Sequence, residues 1–185
     1  SMRKGNPPAT PGVAKMPTGI TGLDEITRGG LPRGRTTVVL GGPGCGKTLL
    51  ALQTLVHGAR QFGEPGIFVA FEEDTRQIIR NAETFGWDLA ELERRNLFFL
   101  DARTRPQDLK AGDFDLAGLL AGVAAKARSM GAKRVVFDSV DVLLALLDNL
   151  PRERQEIHRL LDWLAAEGLT GLVTGKLDDG SVQAT

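Results

Sequence analysis

Five short runs of apolar and β-branched residues divide the chain into a repeating pattern. They occupy residues 36–41, 66–72, 96–101, 134–140 and 171–174. Most of the runs are continuous rather than alternating, which is typical of strands buried on both faces of a parallel sheet. Segments with helical periodicity lie between them. The pattern predicts an α/β fold with a mostly parallel central sheet, helices on both faces and right-handed crossovers.

Three helical stripes of apolar residues are expected to pack on this sheet. One comprises Leu116, Leu119, Leu120, Val123 and Ala127, a second Ile157, Leu160, Leu161 and Leu164, and a shorter one Ile78, Ile79, Ala82 and Phe85. We interpret all three as core faces rather than ligand sites, because such spacing is the usual signature of a buried helix face. Before the first strand, a short helix is predicted near residues 22–27, followed by a turn at Gly29 and Gly30.

Length and charge narrow the class of protein. The 185 residues suggest one domain, and 42% hydrophobic residues are enough to fill its core. The formal net charge is zero, so no overall field attracts nucleic acid or an anionic membrane. No apolar run approaches the roughly 18 residues of a membrane span, and no signal peptide is recognised. The single cysteine excludes an internal disulfide, which favours the cytoplasm.

The densest cluster of turn residues has a chemical explanation. Gly41-x-x-x-x-Gly46-Lys47-Thr48 lies between a predicted strand and a predicted helix, which is the context that a phosphate-binding loop requires. The backbone amides of residues 44–48 would surround the β-phosphate, helped by the partial positive charge of the helix N-terminus. Lys47 would reach the β- and γ-phosphate oxygens, and the Thr48 hydroxyl would bind Mg²⁺. A chance glycine turn is the alternative.

Acidic residues end two of the predicted strands. Asp138 follows the apolar residues within the run over residues 134–140, and from a neighbouring strand it could hold Mg²⁺ near the loop. Alternatively, Asp138 caps a helix. Glu72 ends the run over residues 66–72 and Glu73 follows it, at the edge where open α/β sheets bind ligands. Their proximity would raise the pKa of one of them, which would suit a general base, although Glu73 could instead belong to the start of the next helix.

Three further residues have less specific signals. Thr174 and Lys176 follow the last predicted strand, where Thr174 could sense the γ-phosphate and Lys176 could reach a nucleotide. A solvated strand end is an equal alternative. Cys45 lies inside the loop, where it could be exposed to oxidation, but we interpret it as a small tolerated side chain.

Four segments together resemble the KaiC family, the circadian-clock ATPases of the RecA-like superfamily. They are TGITGLDEITRGGLPRGRTTVVLGGPGCGKT, EPGIFVAFEED, NAETFGWDL and KRVVFDSV. The likeness covers residues 17–174 and is closest to the first KaiC domain. It implies a RecA-type ATPase domain that binds ATP and Mg²⁺ between the subunits of a ring, commonly a hexamer. It also implies clock or signalling proteins as possible partners.

The resemblance also implies roles for individual residues. Glu72 and Glu73 match the paired catalytic glutamates, and Thr48 and Asp138 match the magnesium-binding positions. Nucleotide contacts are expected from Gly44, Cys45, Gly46, Lys47, Thr48, Leu49 and Thr84. Lys176 falls near the family's nucleotide-contacting segment after the last strand, where TGKLDD departs from the usual TTE or TSE.

The same likeness gives the expected organisation of the chain. Residues 1–15, rich in proline, glycine and positive charge, are predicted to be a disordered arm that begins with a tag-cleavage remnant. Residues 16–185 are predicted to form the KaiC-like ATPase domain, stopping short at the C-terminal end.

Three functions remain open at this point. The first is slow ATP hydrolysis by a KaiC-like ring that acts as a signalling or timing switch. The second is a DNA-dependent recombination ATPase of the RecA/RadA type, against which the neutral charge argues. The third is a nucleotide-binding scaffold without turnover, which would be expected to have lost Glu72 and Glu73.

Overall fold

The computed structural model describes residues 12–103, 116–145 and 150–176 of the chain. Residues 1–11 of the predicted arm and residues 177–185 of the predicted ATPase domain lie outside the described residues. Within the described ranges, no helix is long and apolar enough to cross a membrane.

The strands form one parallel sheet and one small antiparallel ribbon. They are β1 Lys15–Met16, β2 Leu31–Pro32, β3 Thr36–Gly41, β4 Gly66–Ala70, β5 Leu97–Asp101, β6 Arg134–Asp138 and β7 Thr170–Lys176. Strands β3 to β7 pair in parallel in the order β3-β7-β6-β4-β5, and β1 pairs with β2. The arrangement confirms the predicted α/β fold with a parallel central sheet.

Helices connect the strands of the central sheet. They are α1 Thr21–Ile26, α2 Lys47–Gln61, α3 Thr75–Ala82, α4 Leu89–Arg95, α5 Leu116–Met130, α6 Val140–Leu144 and α7 Leu150–Ala166, with a 3₁₀ turn at Glu83–Phe85. Helix α1 confirms the short helix predicted before the first strand. The three apolar stripes lie on α5, on α7, and on α3 with the 3₁₀ turn that follows it.

Two apolar cores lie on opposite faces of the sheet, because successive strand residues point to opposite sides. From β4, Phe68 packs with residues of α2, α3 and α4, whereas Ile67 and Val69 pack with residues of α5 and α7. Every residue of β4 and β6 is buried. Helices therefore cover both faces of the central strands, as the continuous apolar runs predicted.

The prediction of two-sided burial is wrong for β3. Val38 and Leu40 are each 53% exposed on one face of the end strand β3, whereas Val39 on the other face packs against the core. One stripe residue on each of two helical segments is also exposed, namely Ile157 at 37% and Phe85 at 52%. Apolar spacing identified the correct helices but not the edges of the core.

A buried arginine lies at the amino end of β6, at the end of the sheet opposite the glycine-rich loop. Arg134 is 1% exposed, and its Nε donates a hydrogen bond to Glu64 Oε2 at 3.0 Å. Its Nη1 donates to the carbonyl oxygen of Thr54 in α2 at 2.9 Å. A Cβ at Gly58 would lie 2.7 Å from Arg134 Nε, so only glycine lets the guanidinium cross α2 this closely.

Candidate active site

Most of the residues singled out from the sequence meet in a cavity at the carboxyl ends of the parallel strands. The cavity has a volume of about 390 Å³. The predicted residues that line it are Gly44, Cys45, Gly46, Lys47, Thr48, Leu49, Glu72, Glu73 and Asp138. Such an edge is where open α/β sheets bind ligands, because the loops after the strands converge there.

The loop between β3 and α2 presents the start of a helix to this cavity. Gly46 has a φ of 89°, a left-handed conformation that favours glycine, and α2 begins at the next residue, Lys47. The first amides of a helix have no acceptor within the helix, and they carry its partial positive charge. The loop is therefore suited to bind an anionic group such as a phosphate.

The Lys47 ammonium group lies over this loop. Its Nζ donates hydrogen bonds to the carbonyl oxygens of Gly41 and Gly42, both at 2.8 Å. It also lies 3.7 Å from Cys45 Sγ. The positive charge is thus held beside the amides that face the cavity, where phosphate oxygens could replace the carbonyl oxygens as its acceptors.

Asp138 is fixed by hydroxyl groups from two other elements. Thr48 Oγ1 donates a hydrogen bond to Asp138 Oδ2 at 2.9 Å, and the hydroxyl of the fully buried Thr174 donates to Asp138 Oδ1. Burial raises the pKa of Asp138 above its ordinary value, and the two hydrogen bonds oppose that shift. Helix α6 begins at Val140, two residues after Asp138, so Asp138 does not cap that helix. Its hydrogen bonds instead connect α2, through Thr48, to β7, through Thr174.

The strand order differs from the expectation of direct neighbours. Strand β7 lies between β3 and β6, so Asp138 does not come from the strand beside the loop. Thr174 belongs to this intervening strand and binds Asp138 rather than facing the cavity. Its hydroxyl positions the carboxylate, a contact that the sequence pattern did not suggest.

The two glutamates lie beyond the end of β4, not within it. The strand stops at Ala70, and the Phe71 amide donates to the Asp138 carbonyl oxygen at 2.7 Å. The chain then bends, which lets Glu72 and Glu73 both line the cavity, although neighbours on a regular strand would point to opposite faces. Helix α3 follows, with the Asp74 side chain accepting a hydrogen bond from the Arg76 amide at its start.

Glu72 and Glu73 have different surroundings. Burial, then the charges of Asp138 and Glu72, raise the pKa of Glu73 above its ordinary value. Glu72 instead forms an ion pair with Lys176 of β7, with 3.1 Å between Nζ and Oε1, and both side chains are more than 40% exposed. The sequence suggested that one of the two would have a raised pKa, and the structure indicates that it is Glu73.

The donor set fits Mg²⁺ bound together with a phosphate. In the described part of the chain, no group of three or more His, Cys, Asp or Glu side chains could hold a metal by itself. Mg²⁺ usually takes one or two carboxylates and completes its shell with water and substrate phosphates. The Asp138 carboxylate and the Thr48 hydroxyl, next to a phosphate-binding loop, match that requirement.

Thr84 occupies a different position from the other candidates. It is exposed, and its hydroxyl donates to the Asn81 carbonyl oxygen at 2.9 Å. Its neighbours Asn81 and Phe85 line the cavity, and so do Ile78 and Ala82 of α3. The helical spacing predicts that Ile78, Ala82 and Phe85 form a core stripe, and spacing alone does not distinguish a buried face from a cavity wall.

The fold and the site together define a class of protein. A parallel α/β sheet carries a Gly-x-x-x-x-Gly-Lys-Thr loop between β3 and α2, with Thr48 bonded to an aspartate at the end of β6. This combination is that of a RecA-like P-loop nucleotide-binding domain.

The chain belongs to the KaiC ATPase family. The family model described as "ATPase: KaiC" matches residues 16–185. This match favours the KaiC-like alternative over the RecA/RadA type that the motifs alone left open.

The curated relatives include proteins named for the circadian clock. The chain is 41% identical to the circadian clock protein KaiC2 of Synechocystis sp., over 90% of this chain and 30% of that protein. It is 47% identical to the circadian clock oscillator protein KaiC of Prochlorococcus marinus and to that of Picosynechococcus sp., in each case over 90% of this chain and 33% of the relative. The chain therefore spans about a third of the length of these relatives.

Proposed function

We propose that this chain binds Mg-ATP in the described cavity and hydrolyses it. One observation carries the proposal. The loop with the phosphate-binding pattern, the Thr48–Asp138 pair and the glutamates Glu72 and Glu73 all line the same cavity. A loop alone would support binding only. The carboxylates beside it are what a reaction with water requires.

In this proposal each group acts on a different part of the reaction. The amides at the start of α2 bind the phosphates, and Lys47 stabilises charge on the β- and γ-phosphate oxygens. Thr48 and Asp138 would hold Mg²⁺, which would supply positive charge beside the phosphates. Water attacks the γ-phosphorus, its proton passes to Glu73, and the bond to the bridging oxygen of ADP breaks.

We further propose that the reaction serves as a signalling or timing switch in a ring of identical subunits, commonly six, in the cytoplasm. Support comes from the names of the relatives, which are circadian clock proteins. It also comes from Glu72 and Lys176, which line the cavity with side chains 43% and 42% exposed, where a second subunit could contact them. Clock or signalling proteins are the proposed partners.

Replacing Lys47 with alanine should weaken ATP binding about 10- to 100-fold, because a lost charged hydrogen bond is worth roughly 1.5–3 kcal/mol. Equilibrium titration with ATP in the presence of Mg²⁺ measures the effect. Lys133→Ala is the matched control, since Lys133 is exposed at the opposite end of the sheet, just before β6. Equal affinities of the Lys47→Ala variant and the wild type would contradict the assignment of the loop.

Addition of Mg-ATP should convert the protein from monomer to a ring, commonly of six subunits. A nucleotide between subunits stabilises the assembly by mass action, because it binds the assembled form more tightly than the monomer. Sedimentation analysis with and without Mg-ATP measures the mass. If ATP binds at the expected site while the mass stays monomeric, the proposal of an interfacial site is wrong.

A further inference from the structure

A second lysine besides Lys47 lines the cavity. Lys176, the last residue of β7, lies on the cavity wall. The carboxylates of Glu72, Glu73 and Asp138 line the same cavity. Because a terminal phosphate is itself negatively charged, these carboxylates would repel it unless a positive charge lay close to them. The roles proposed above for Lys47 and Mg²⁺ leave Lys176 without a part in the reaction.

The strand pairing determines where the backbone of Lys176 lies. Strand β7 lies between β3 and β6, and Lys176 is paired in register with Gly41, the first residue of the loop pattern. On the other side, the pairing of β7 with β6 runs as far as Val173, opposite Phe137. The last residues of β7 therefore extend past this pairing, and they bring Lys176 to the carboxyl edge of the sheet beside the start of the loop.

Asp141 of α6 fixes this end of β7. The Lys176 amide donates a hydrogen bond to Asp141 Oδ2 at 2.6 Å, and the same oxygen accepts a bond from the Ser139 hydroxyl at 2.7 Å. Ser139 is buried and directly follows Asp138. The backbone that carries the Lys176 side chain is thus tied to the segment that carries the proposed metal-binding aspartate.

The side chain of Lys176 reaches across the end of β6. Its Nζ lies 3.1 Å from Oε1 of Glu72, which follows β4, and β4 lies on the far side of β6 from β7. Strand β6 ends at Asp138. The ion pair therefore spans the end of the strand that carries the carboxylate proposed for Mg²⁺. Its ammonium group is held within the cavity and faces the acids that a terminal phosphate would otherwise meet.

We propose that Lys176 binds the terminal phosphate of the nucleotide and makes the site prefer a nucleoside triphosphate over a diphosphate, with Glu72 positioning its ammonium group. The inference rests on the proposed binding of ATP and names the residue that distinguishes ATP from ADP. An ammonium group has three donors, so the bond to Glu72 is compatible with a second bond to a phosphate oxygen. Both side chains of the pair are more than 40% exposed, so a small shift of the ammonium group costs little.

Affinities for a triphosphate and a diphosphate test this assignment. ADP and adenylyl imidodiphosphate, a triphosphate that resists hydrolysis, are each titrated with Mg²⁺ into the wild type and the variants. Lys176→Ala should lose roughly 5- to 100-fold in affinity for the triphosphate, the effect of one charged hydrogen bond. Its affinity for ADP should stay at the wild-type value, because the loop and Lys47 bind the remaining phosphates. Unchanged ADP affinity also shows that the variant is folded.

Three further variants make the comparison specific. Lys176→Arg keeps the positive charge and should retain the preference for the triphosphate. Lys133→Ala is the control, because Lys133 is exposed at the opposite end of the sheet, and it should match the wild type for both ligands. Lys47→Ala should weaken the binding of both ligands, because Lys47 lies over the loop.

The results distinguish this inference from the proposed function. If the wild type binds both ligands and Lys176→Ala changes neither affinity, or lowers both by the same factor, the assignment of Lys176 is wrong while nucleotide binding stands. Loss of the triphosphate preference in Lys176→Arg as well would show that the positive charge is not what recognises the phosphate. A wild type that binds neither ligand would overturn the proposed function, and the role of Lys176 with it.

Discussion

With both Glu72 and Glu73 replaced by glutamine, the protein should bind ATP about as tightly as the wild type but hydrolyse it roughly 10²- to 10⁴-fold more slowly. That range is typical for the removal of a general base. Glutamine keeps the size and hydrogen-bonding shape of each side chain, so the cavity is preserved while both carboxylates are lost. Initial rates of phosphate release at saturating ATP, beside an equilibrium titration, measure the two quantities separately.

The single variants should divide this loss unequally. Glu72 is already paired with Lys176, whereas the pKa of Glu73 is raised by its burial and by the charges of Asp138 and Glu72. We therefore expect Glu73→Gln to account for most of the loss, and Glu72→Gln for the smaller part. Glu25→Gln, at an exposed glutamate of α1, is the control and should hydrolyse ATP at the wild-type rate.

Two results would contradict this prediction. Turnover of the double variant at the wild-type rate would show that neither glutamate acts on the attacking water. A wild type that binds ATP but releases no phosphate would instead favour the nucleotide-binding scaffold without turnover. The retention of both glutamates argues against that scaffold.

The parts of the site that the sequence predicted are those encoded by neighbouring residues. The loop and the helix start depend on a short glycine pattern next to Lys47, so they could be located from the sequence alone. The acids that follow β4 and end β6 were also recognisable, because apolar runs stop at Glu72 and Asp138. Local pattern therefore gave both the type of fold and the charged groups around the phosphates.

Contacts that depend on strand order could not be predicted in the same way. Thr174 reaches Asp138 because β7 lies beside β6, and Lys176 reaches Glu72 from that same strand. Periodicity contains no information about which strands are neighbours. The bend that brings both glutamates to the cavity follows the last bond between β4 and its neighbour β6, from Phe71 to Asp138, two residues far apart in the sequence.

Burial at the margins of the core was the other failure of the sequence pattern. Phe85 continues the apolar stripe of α3 in sequence, but the chain has passed into a 3₁₀ turn by that point and the side chain faces the cavity. Val38 and Leu40 lie on an end strand, where no further described strand covers that edge. Spacing indicates which residues share a face, whereas exposure depends on what packs against that face.

Replacing Glu64 with alanine should lower the free energy of unfolding by about 3–5 kcal/mol, the range for breaking a buried ion pair. Arg134 is 1% exposed, and Glu64 is its ion-pair partner. The Nη2 atom of Arg134 already has no hydrogen-bond partner among the described residues. The loss of Glu64 would therefore leave the buried charge of Arg134 poorly compensated. Denaturant unfolding of the full chain measures the change.

Glu91→Ala is the control, because Glu91 is 41% exposed and its ion-pair partner Arg94 is 68% exposed. Such surface pairs contribute about 1 kcal/mol or less to the free energy of unfolding.

The same ion pair predicts how stability depends on pH. Burial by itself would raise the pKa of Glu64, but hydrogen bonds from Arg33 and Arg134 outweigh it and hold the pKa below its ordinary value of 4.5. Because the folded-state pKa is the lower one, the carboxylate's contribution is complete above about pH 4.5 and is lost as the pH falls through the folded-state value. The stabilities of the wild type and of Glu64→Gln should therefore converge as the pH falls below about 4.5. A difference that stayed constant from neutral pH down to about pH 3 would show that the charge of Glu64 does not stabilise Arg134, because protonation should remove that contribution.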